Sequence, residues 1–326
     1  MSTNIRSYAK INLGLRIGAV REDGFHELRT IYQTIGVHDL IRVQAGRGVG
    51  IEIRCKNPKV PQDETNTCWR VTERMLKVLK KRAKVTITIT KNLPVQGGMG
   101  AGSSNAVATL LALEQELGAR LDPAQKLQIA AEVGSDLPLF LVGGTILGIG
   151  RGEQVFPLPD LVSMPCVIAT PPIAVSTPKA FADWDEKFEP GSARYEKLTP
   201  DKASGTINEF STSVFSWLMG TTAGVPAKSG DRAETPLLDL VRAGIENDFE
   251  RVVFPQYPEL RDVKRVLERE GAKYASLSGS GSTVYGLFEG AKAAERASSK
   301  LQAKGVPAAA TRTVTREEYW RGIWIG

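Results

Sequence analysis

The chain has 326 residues, 42% of them hydrophobic, which is enough for two domains or one large one around a sizeable core and excludes global disorder. Its three cysteines, Cys55, Cys68 and Cys166, are too few and too scattered for a disulfide framework or a zinc site. No apolar run reaches membrane-spanning length, and the opening MSTNIRSYAKINLGL lacks a signal-peptide core, so a cytoplasmic protein without membrane attachment is expected. The formal net charge is +6, with Lys and Arg spread along the chain apart from a cluster at residues 77–84. That cluster has no interleaved aromatics and reads as the solvated end of a helix, so no nucleic-acid partner is expected. A mildly basic balance suits a polyanionic small substrate equally well.

In chain order, residues 5–18 read as a strand, 21–24 as a turn, and 31–43 as a second β segment with a bend at 37–39. Residues 49–53 alternate again. Residues 66–79 read as a helix whose apolar face is Trp69, Val71, Met75, Leu76 and Leu79. KVTITIT at 84–90 alternates Val85, Ile87 and Ile89 with threonines, a strand with one buried face. After a glycine-rich run, Ala106, Val107, Leu110, Leu111, Leu113 and Leu117 are spaced helically, with Gly118 as the stop and Ser103 or Ser104 as the cap. Residues 121–133 form another helical pattern. The proline-punctuated stretch 157–172 is the best boundary, dividing the chain into 1–157 and 158–326. Residues 184–236, rich in Ser, Thr, Gly, Pro and charge, read as a loop insertion with one short helix at 208–218. Helices at 237–247 and 259–270, strands at 274–278 and 283–289, a helix at 291–304 and a closing strand complete the pattern. This order predicts an α+β architecture with a ferredoxin-like C-terminal part.

The run PVQGGMGAGSSN at 94–105 carries the most information. A helix start presents unpaired N–H groups and the positive end of the macrodipole. Glycines let those groups approach an anion closely, which predicts a phosphate cradle. It is not a Walker A loop, because Ser103 stands where the lysine belongs, and it lacks the βαβ context of a dinucleotide fingerprint. A flexible connection without a ligand is the alternative.

Four further features bear on chemistry. Lys10 lies in the apolar strand SYAKINLGL beside Asn12, either as a snorkelling edge lysine or as a charge with a partner. Asp136 in GSDLPLF is placed as a helix cap, a role compatible with facing a cleft. LSGSGST at 277–283 is either a plain hairpin loop or a second loop closing over the ligand of the first. His26 and His38 are the only histidines, and no serine-hydrolase elbow, HExxH or clustered carboxylates accompany them. A protein-built metal cage is therefore not expected, whereas Mg²⁺ delivered with a nucleotide is compatible.

In combination, SYAKINLGL, PVQGGMGAGSSN, GSDLPLFLVGG and LSGSGSTVYGLF resemble the motifs of the GHMP kinase superfamily, over nearly the whole chain. AKINLGL followed by DGFHELRTIYQTI, with NDFE at 247–250, is similar to the branch that phosphorylates a hydroxyl of a small cytidine-diphosphate substrate in isoprenoid precursor synthesis. The resemblance implies an ATP-dependent kinase, a monomer or homodimer, with a ribosomal-S5-like N-terminal domain, a ferredoxin-like C-terminal domain and the active site between them. It implies that Lys10 and Asp136 are catalytic. It also implies that Pro94, Val95, Gln96, Gly97, Gly98, Met99, Gly100, Ala101, Gly102, Ser103 and Ser104 bind ATP, with Asn66 and Lys91 beside them. Asn12 and His26 would contact the substrate, and Phe25 and Phe181 would sandwich its cytosine. The chain departs from the family pattern in having Phe25 for the usual Tyr, Ser135 for Ala and Ala101 for a common Gly, and in the length of 184–236. Another superfamily kinase with a drifted pocket, or a non-catalytic RNA binder, are the competing readings. If the loop holds phosphates, Gly100→Val is expected to weaken ATP binding before it weakens the fold.

Overall fold

The computed structural model describes residues 2–188 and 245–325. The expected helix at 208–218, most of 184–236 and all but the end of 237–247 lie outside the described residues.

The first sheet is built on two long strands, β1 (Thr3–Val20) and β2 (His26–Gly46), paired antiparallel along nearly their whole length. The register shifts where Tyr8 faces His38 but Ala9 faces Ile35, leaving Gly36 and Val37 as a bulge. The bend expected at 37–39 is this bulge. Beyond it β2 pairs with β4 (Lys84–Thr90), and before it with β5 (Thr145–Gly150). One strand therefore has two different neighbours on the same edge, with a gap between them at residues 34–39. β3 (Gly50–Cys55) lies parallel to β4, β6 (Gln154–Pro157) extends β5, and the short β11 (Trp324–Ile325) returns to pair with β1. The second sheet has the order β10-β7-β9-β8. It consists of β7 (Pro165–Ala169), β8 (Tyr274–Leu277), β9 (Val284–Leu287) and β10 (Ala308–Arg312), all antiparallel.

Helices α1 (Thr67–Val78), α2 (Ala101–Leu117), α3 (Pro123–Val133) and the single turn α4 (Leu137–Phe140) share a core with the first sheet. Ala9, Ile11, Leu13, Ile31 and Ile35 of that sheet pack against Cys166, Ile168, Tyr285 and Leu287 of the second. The far side of the second sheet is covered by α5 (Thr177–Phe188), α6 (Glu250–Gln256), α7 (Pro258–Arg269) and α8 (Ala291–Ala303). A last helix, α9 (Arg316–Gly322), sends Tyr319 back into the first core. The layers thus run helices, sheet, sheet, helices. Among the described residues no helix is long and apolar enough to cross a membrane.

Several sequence expectations are corrected. α2 is capped by Gly100, not by Ser103 or Ser104, and Ser104 instead accepts a hydrogen bond from Ser7 Oγ at 2.7 Å inside the core. Asp136 stands at the start of α4 without capping it. Residues 184–188, assigned to the insertion, continue α5, with Trp184 buried. Residues 245–247 are not helical; Asn247 bridges to Leu15 of β1. The strands β5 and β6 and the helices α6 and α9 had no reading in the sequence. Their runs are four to seven residues long, too short for a period to register.

Candidate active site

The glycine-rich loop leaves the first sheet at the gap in β2. There fully buried Asp39 accepts the backbone N–H of Asn92 at 2.7 Å and of Leu93 at 2.8 Å, and its other oxygen lies 2.5 Å from Lys91 Nζ. Gly100 then opens α2 in the left-handed conformation, φ 64°; a Cβ there would stand 3.0 Å from Phe140 Cζ and 3.2 Å from Lys10 Cγ. At Gly98, φ 76°, a Cβ would lie 2.1 Å from the Ser278 carbonyl oxygen. The second glycine turn therefore packs directly on the first: Ser278 Oγ donates to Gly98 O at 2.9 Å and Thr283 N to Gly97 O at 3.3 Å. LSGSGST is not an independent hairpin loop.

A cavity of 350 Å³ lies at the start of α2. Pro94, Val95, Gln96, Gly97, Gly98, Gly100, Ala101, Gly102 and Ser103 line it, with Asn66 and Lys91 opposite. The first N–H groups of α2, which have no partner within the helix, belong to this wall. Two residues of the run point elsewhere: the Met99 side chain is in the core between the sheets, and Ser104 is buried against Ser7. Asn66 is engaged as the cap of α1, accepting from Cys68 N at 2.8 Å and donating to Pro61 O at 2.6 Å.

A second cavity, of 690 Å³, adjoins the first; Gly98 and Ser103 line both. At its inner end is a charged cluster. Ala9, Ile11 and Leu13 alternate into the inter-sheet core, so Lys10 and Asn12 project to the opposite face, toward α2. Lys10 is almost fully buried, which removes the snorkelling alternative. Its Nζ is 3.2 Å from Asp136 Oδ2, donates to Asn12 Oδ1 at 2.7 Å, and sits 5.3 Å from the centre of the Tyr32 ring. Asn12 is itself held by donating to Thr30 Oγ1 at 2.8 Å. Tyr32 donates its hydroxyl to Asp136 Oδ1 at 3.2 Å. Burial, and then the Asp136 charge, push the Tyr32 phenol well above its ordinary range, so it remains a donor. Asp136 keeps 32% of its side chain exposed to the cavity while Lys10 keeps 4%, so the pair presents the carboxylate.

At the outer end the walls are aromatic. His26 stacks on Phe181 with centroids 4.9 Å apart and planes at 12°, and its Nε2 lies 2.6 Å from Asp185 Oδ1. The carboxylate only accepts, so Nε2 carries the hydrogen and Nδ1 is left for a ligand. Phe181 meets Phe249 edge-on at 4.9 Å and 74°. Phe25 is half exposed, with the Arg151 guanidinium 5.0 Å from its ring centre. Phe25 and Phe181 thus both line the cavity, but the ring stacked face to face on Phe181 is that of His26.

Residues 66–144 match the GHMP kinases N terminal domain and residues 233–307 the GHMP kinases C terminal domain. A protein of Solibacter usitatus named 4-diphosphocytidyl-2-C-methyl-D-erythritol kinase is 36% identical over 98% of this chain and 91% of its own length. The chain belongs to this family of GHMP kinases. A second member, from Acaryochloris marina, is 33% identical over 91% of each chain. The fold agrees: a solved structure of 4-(cytidine 5'-diphospho)-2C-methyl-D-erythritol kinase, 27% identical, covers 96% of this chain and 99% of its own with a TM-score of 0.71.

Within the frame of this kinase family, four site residues had no assignment in the sequence. Tyr32 and Arg151 reach the site through register and a turn, for which a single chain carries no signal. Asp39 looks like an ordinary strand residue until the gap in β2 is known. Asp185 was legible in principle, since it lies one helical turn after Phe181, but it fell inside the stretch read as an insertion.

Proposed function

We propose that the protein transfers the γ-phosphoryl group of ATP to the 2-hydroxyl of 4-diphosphocytidyl-2-C-methyl-D-erythritol, giving the 2-phosphate and ADP. The reaction is a step of the non-mevalonate route to isoprenoid precursors. The observation that carries this reading, together with family membership, is the Lys10–Asp136 pair in the larger cavity, which shares Gly98 and Ser103 with the glycine-lined cavity at the helix start and carries an aromatic wall of its own. Residues 1–157 supply the nucleotide site, and the part from 158 onward supplies the second glycine loop and part of the aromatic wall.

The triphosphate lies along the loop, held by the N–H groups of α2 and its dipole in place of a Walker lysine. The cytidine base lies against His26, Phe181 and Phe25, where stacking supplies affinity and the free Nδ1 of His26 supplies base discrimination. The alcohol then projects toward Asp136. As its oxygen bonds to the γ-phosphorus and the bond to the bridging β–γ oxygen breaks, Asp136 takes the hydroxyl proton and ADP leaves. Lys10 offsets charge accumulating on the transferred group and, with Tyr32, holds the carboxylate in place. Among the described residues no group of three acidic, histidine or cysteine side chains stands ready for a metal. The Ser103 hydroxyl, which lines both cavities, is a hard oxygen donor that fits Mg²⁺, which takes one or two protein ligands alongside phosphates and water. Bound there with ATP, Mg²⁺ would neutralise phosphate charge.

The deciding experiment is a coupled ADP-release assay with three alcohols. ADP should appear with 4-diphosphocytidyl-2-C-methyl-D-erythritol and not with mevalonate or homoserine. Turnover of either control above the cytidine substrate would assign the chain to another specificity.

A further inference from the structure

The motif NDFE at residues 247–250 has no part in the chemistry above, yet Asn247 and Phe249 contact the walls of the site while Asp248 and Glu250 tie the motif to β1 and β8. Asn247 Nδ2 donates to two carbonyls of the second glycine turn, Leu277 O and Gly279 O, both at 2.8 Å. Asp248 accepts the backbone N–H of Ile17 at 2.9 Å and the Arg16 guanidinium at 2.9 Å, both on β1. Phe249 is 2% exposed and lies edge-on beneath Phe181, which in turn stacks on His26. Glu250 accepts from Ser276 Oγ at 2.8 Å and Leu277 N at 2.9 Å, at the end of β8. The backbone adds to this. Leu15 N donates to Glu246 O and Asp248 N to Leu15 O, both at 2.9 Å, so the segment lies as a short strand along β1 just beyond Lys10 and Asn12.

We propose that NDFE positions both substrate sites at once, Asn247 acting on the nucleotide loop and Phe249 on the cytidine wall. Asn247 acts through a chain of contacts. It fixes the carbonyls on either side of Ser278, and the Ser278 hydroxyl and carbonyl set the position of Gly98 in the first loop. A carboxamide is the group that suits this place, because its two N–H hydrogens serve two acceptors from one nitrogen. Phe249 acts through Phe181, whose ring plane sets that of His26. Neither residue takes part in proton or phosphoryl transfer; both are positioning residues. The inference rests on the reading of the two cavities given above.

The test measures KM for ATP and for 4-diphosphocytidyl-2-C-methyl-D-erythritol separately in Asn247→Ala and Phe249→Leu, with Gly102→Leu as the reference for a direct change in the nucleotide cavity. Asn247→Ala should raise KM for ATP about 10-fold and leave that for the cytidine substrate within about 2-fold, the size of two lost hydrogen bonds. Phe249→Leu should show the reverse. A general loss of packing would move both constants together in both variants, and that outcome overturns the proposal. Should Asn247→Ala not fold, Ser278→Ala cuts the same path at Gly98 and carries the same expectation. If Gly102→Leu raises KM for ATP and neither Asn247→Ala nor Ser278→Ala does, the inference fails while the nucleotide site stands. If Gly102→Leu leaves it unchanged, the phosphate-loop reading itself fails and this inference with it.

Discussion

Asp136 is a carboxylate with both oxygens engaged, one by Lys10 at 3.2 Å and one by the Tyr32 hydroxyl at 3.2 Å. That arrangement restrains rotation of the group without burying it, and restraint is what a proton acceptor for an incoming alcohol needs. Asp136→Asn keeps the shape and removes the basic oxygen. Turnover should fall by about 10²–10⁴-fold, the usual worth of general-base help, with ATP affinity by calorimetry unchanged. Near-normal turnover would remove Asp136 from the role. Tyr32→Phe keeps the ring under Lys10 and deletes only the hydroxyl. It should lower kcat about 10-fold, as loss of a hydrogen bond to a charged group does, and leave both KM values in place. An unchanged kcat would reduce Tyr32 to packing. At this scale the sequence was informative about residue type and poor on partners. Lys10 stood out as a charge in an apolar strand. Tyr32, directly across the sheet from Asn12, is visible only once the register of β1 and β2 is known.

The start of α2 is the element on which the proposed nucleotide site depends, and its glycines are not equivalent. Gly98 and Gly100 are demanded by close protein contacts, with Ser278 and with Phe140 and Lys10. Gly100→Val therefore strikes the core residue Phe140 as well as any ligand, and the expectation that it weakens ATP before the fold does not hold. Gly102 is different. A Cβ there would meet only Thr67 Oγ1 at 3.8 Å, and it faces the 350 Å³ cavity. Gly102→Ala should raise the melting temperature slightly, since Ala is favoured over Gly in a helix by up to about 1 kcal/mol. Gly102→Leu should fold and bind ATP at least 10-fold more weakly, a loss on the scale of about 1.4 kcal/mol. Retained ATP affinity in Gly102→Leu would place the triphosphate elsewhere. The spacing of glycines announced a backbone under close approach, but it did not distinguish approach to a ligand from approach to another loop. Gly98 and Gly102 look alike in sequence and differ only in what lies opposite.

Over the whole molecule, the packing of the two sheets on each other positions the site, since Lys10 and the second glycine turn reach it from different sheets. The cysteines report on that packing. Cys68 lies in the core of the first sheet and its helices, where burial pushes the thiol up to about 12; Cys166 lies between the sheets, and burial pushes its thiol up further still. Cys55 is half-buried at the end of β3. At pH 8 an alkylating reagent should label one cysteine in the native protein and all three in denaturant. Along a urea titration, Cys68 and Cys166 should become reactive together. Earlier labelling of Cys166 would show that the sheets part before they unfold. Period and composition alone identified the long strands and helices and the α+β class, and marked the glycine run and the charge at Lys10, because each writes a local pattern of apolar spacing, glycine density or a misplaced charge; the pairing of Lys10 with Asp136 is not among them. The tertiary structure alone decided which strand neighbours which at the β2 bulge, that the two glycine turns press on each other, and that NDFE packs on the second glycine turn and on Phe181. Those facts depend on contacts between residues up to hundreds of positions apart, and no local pattern records them.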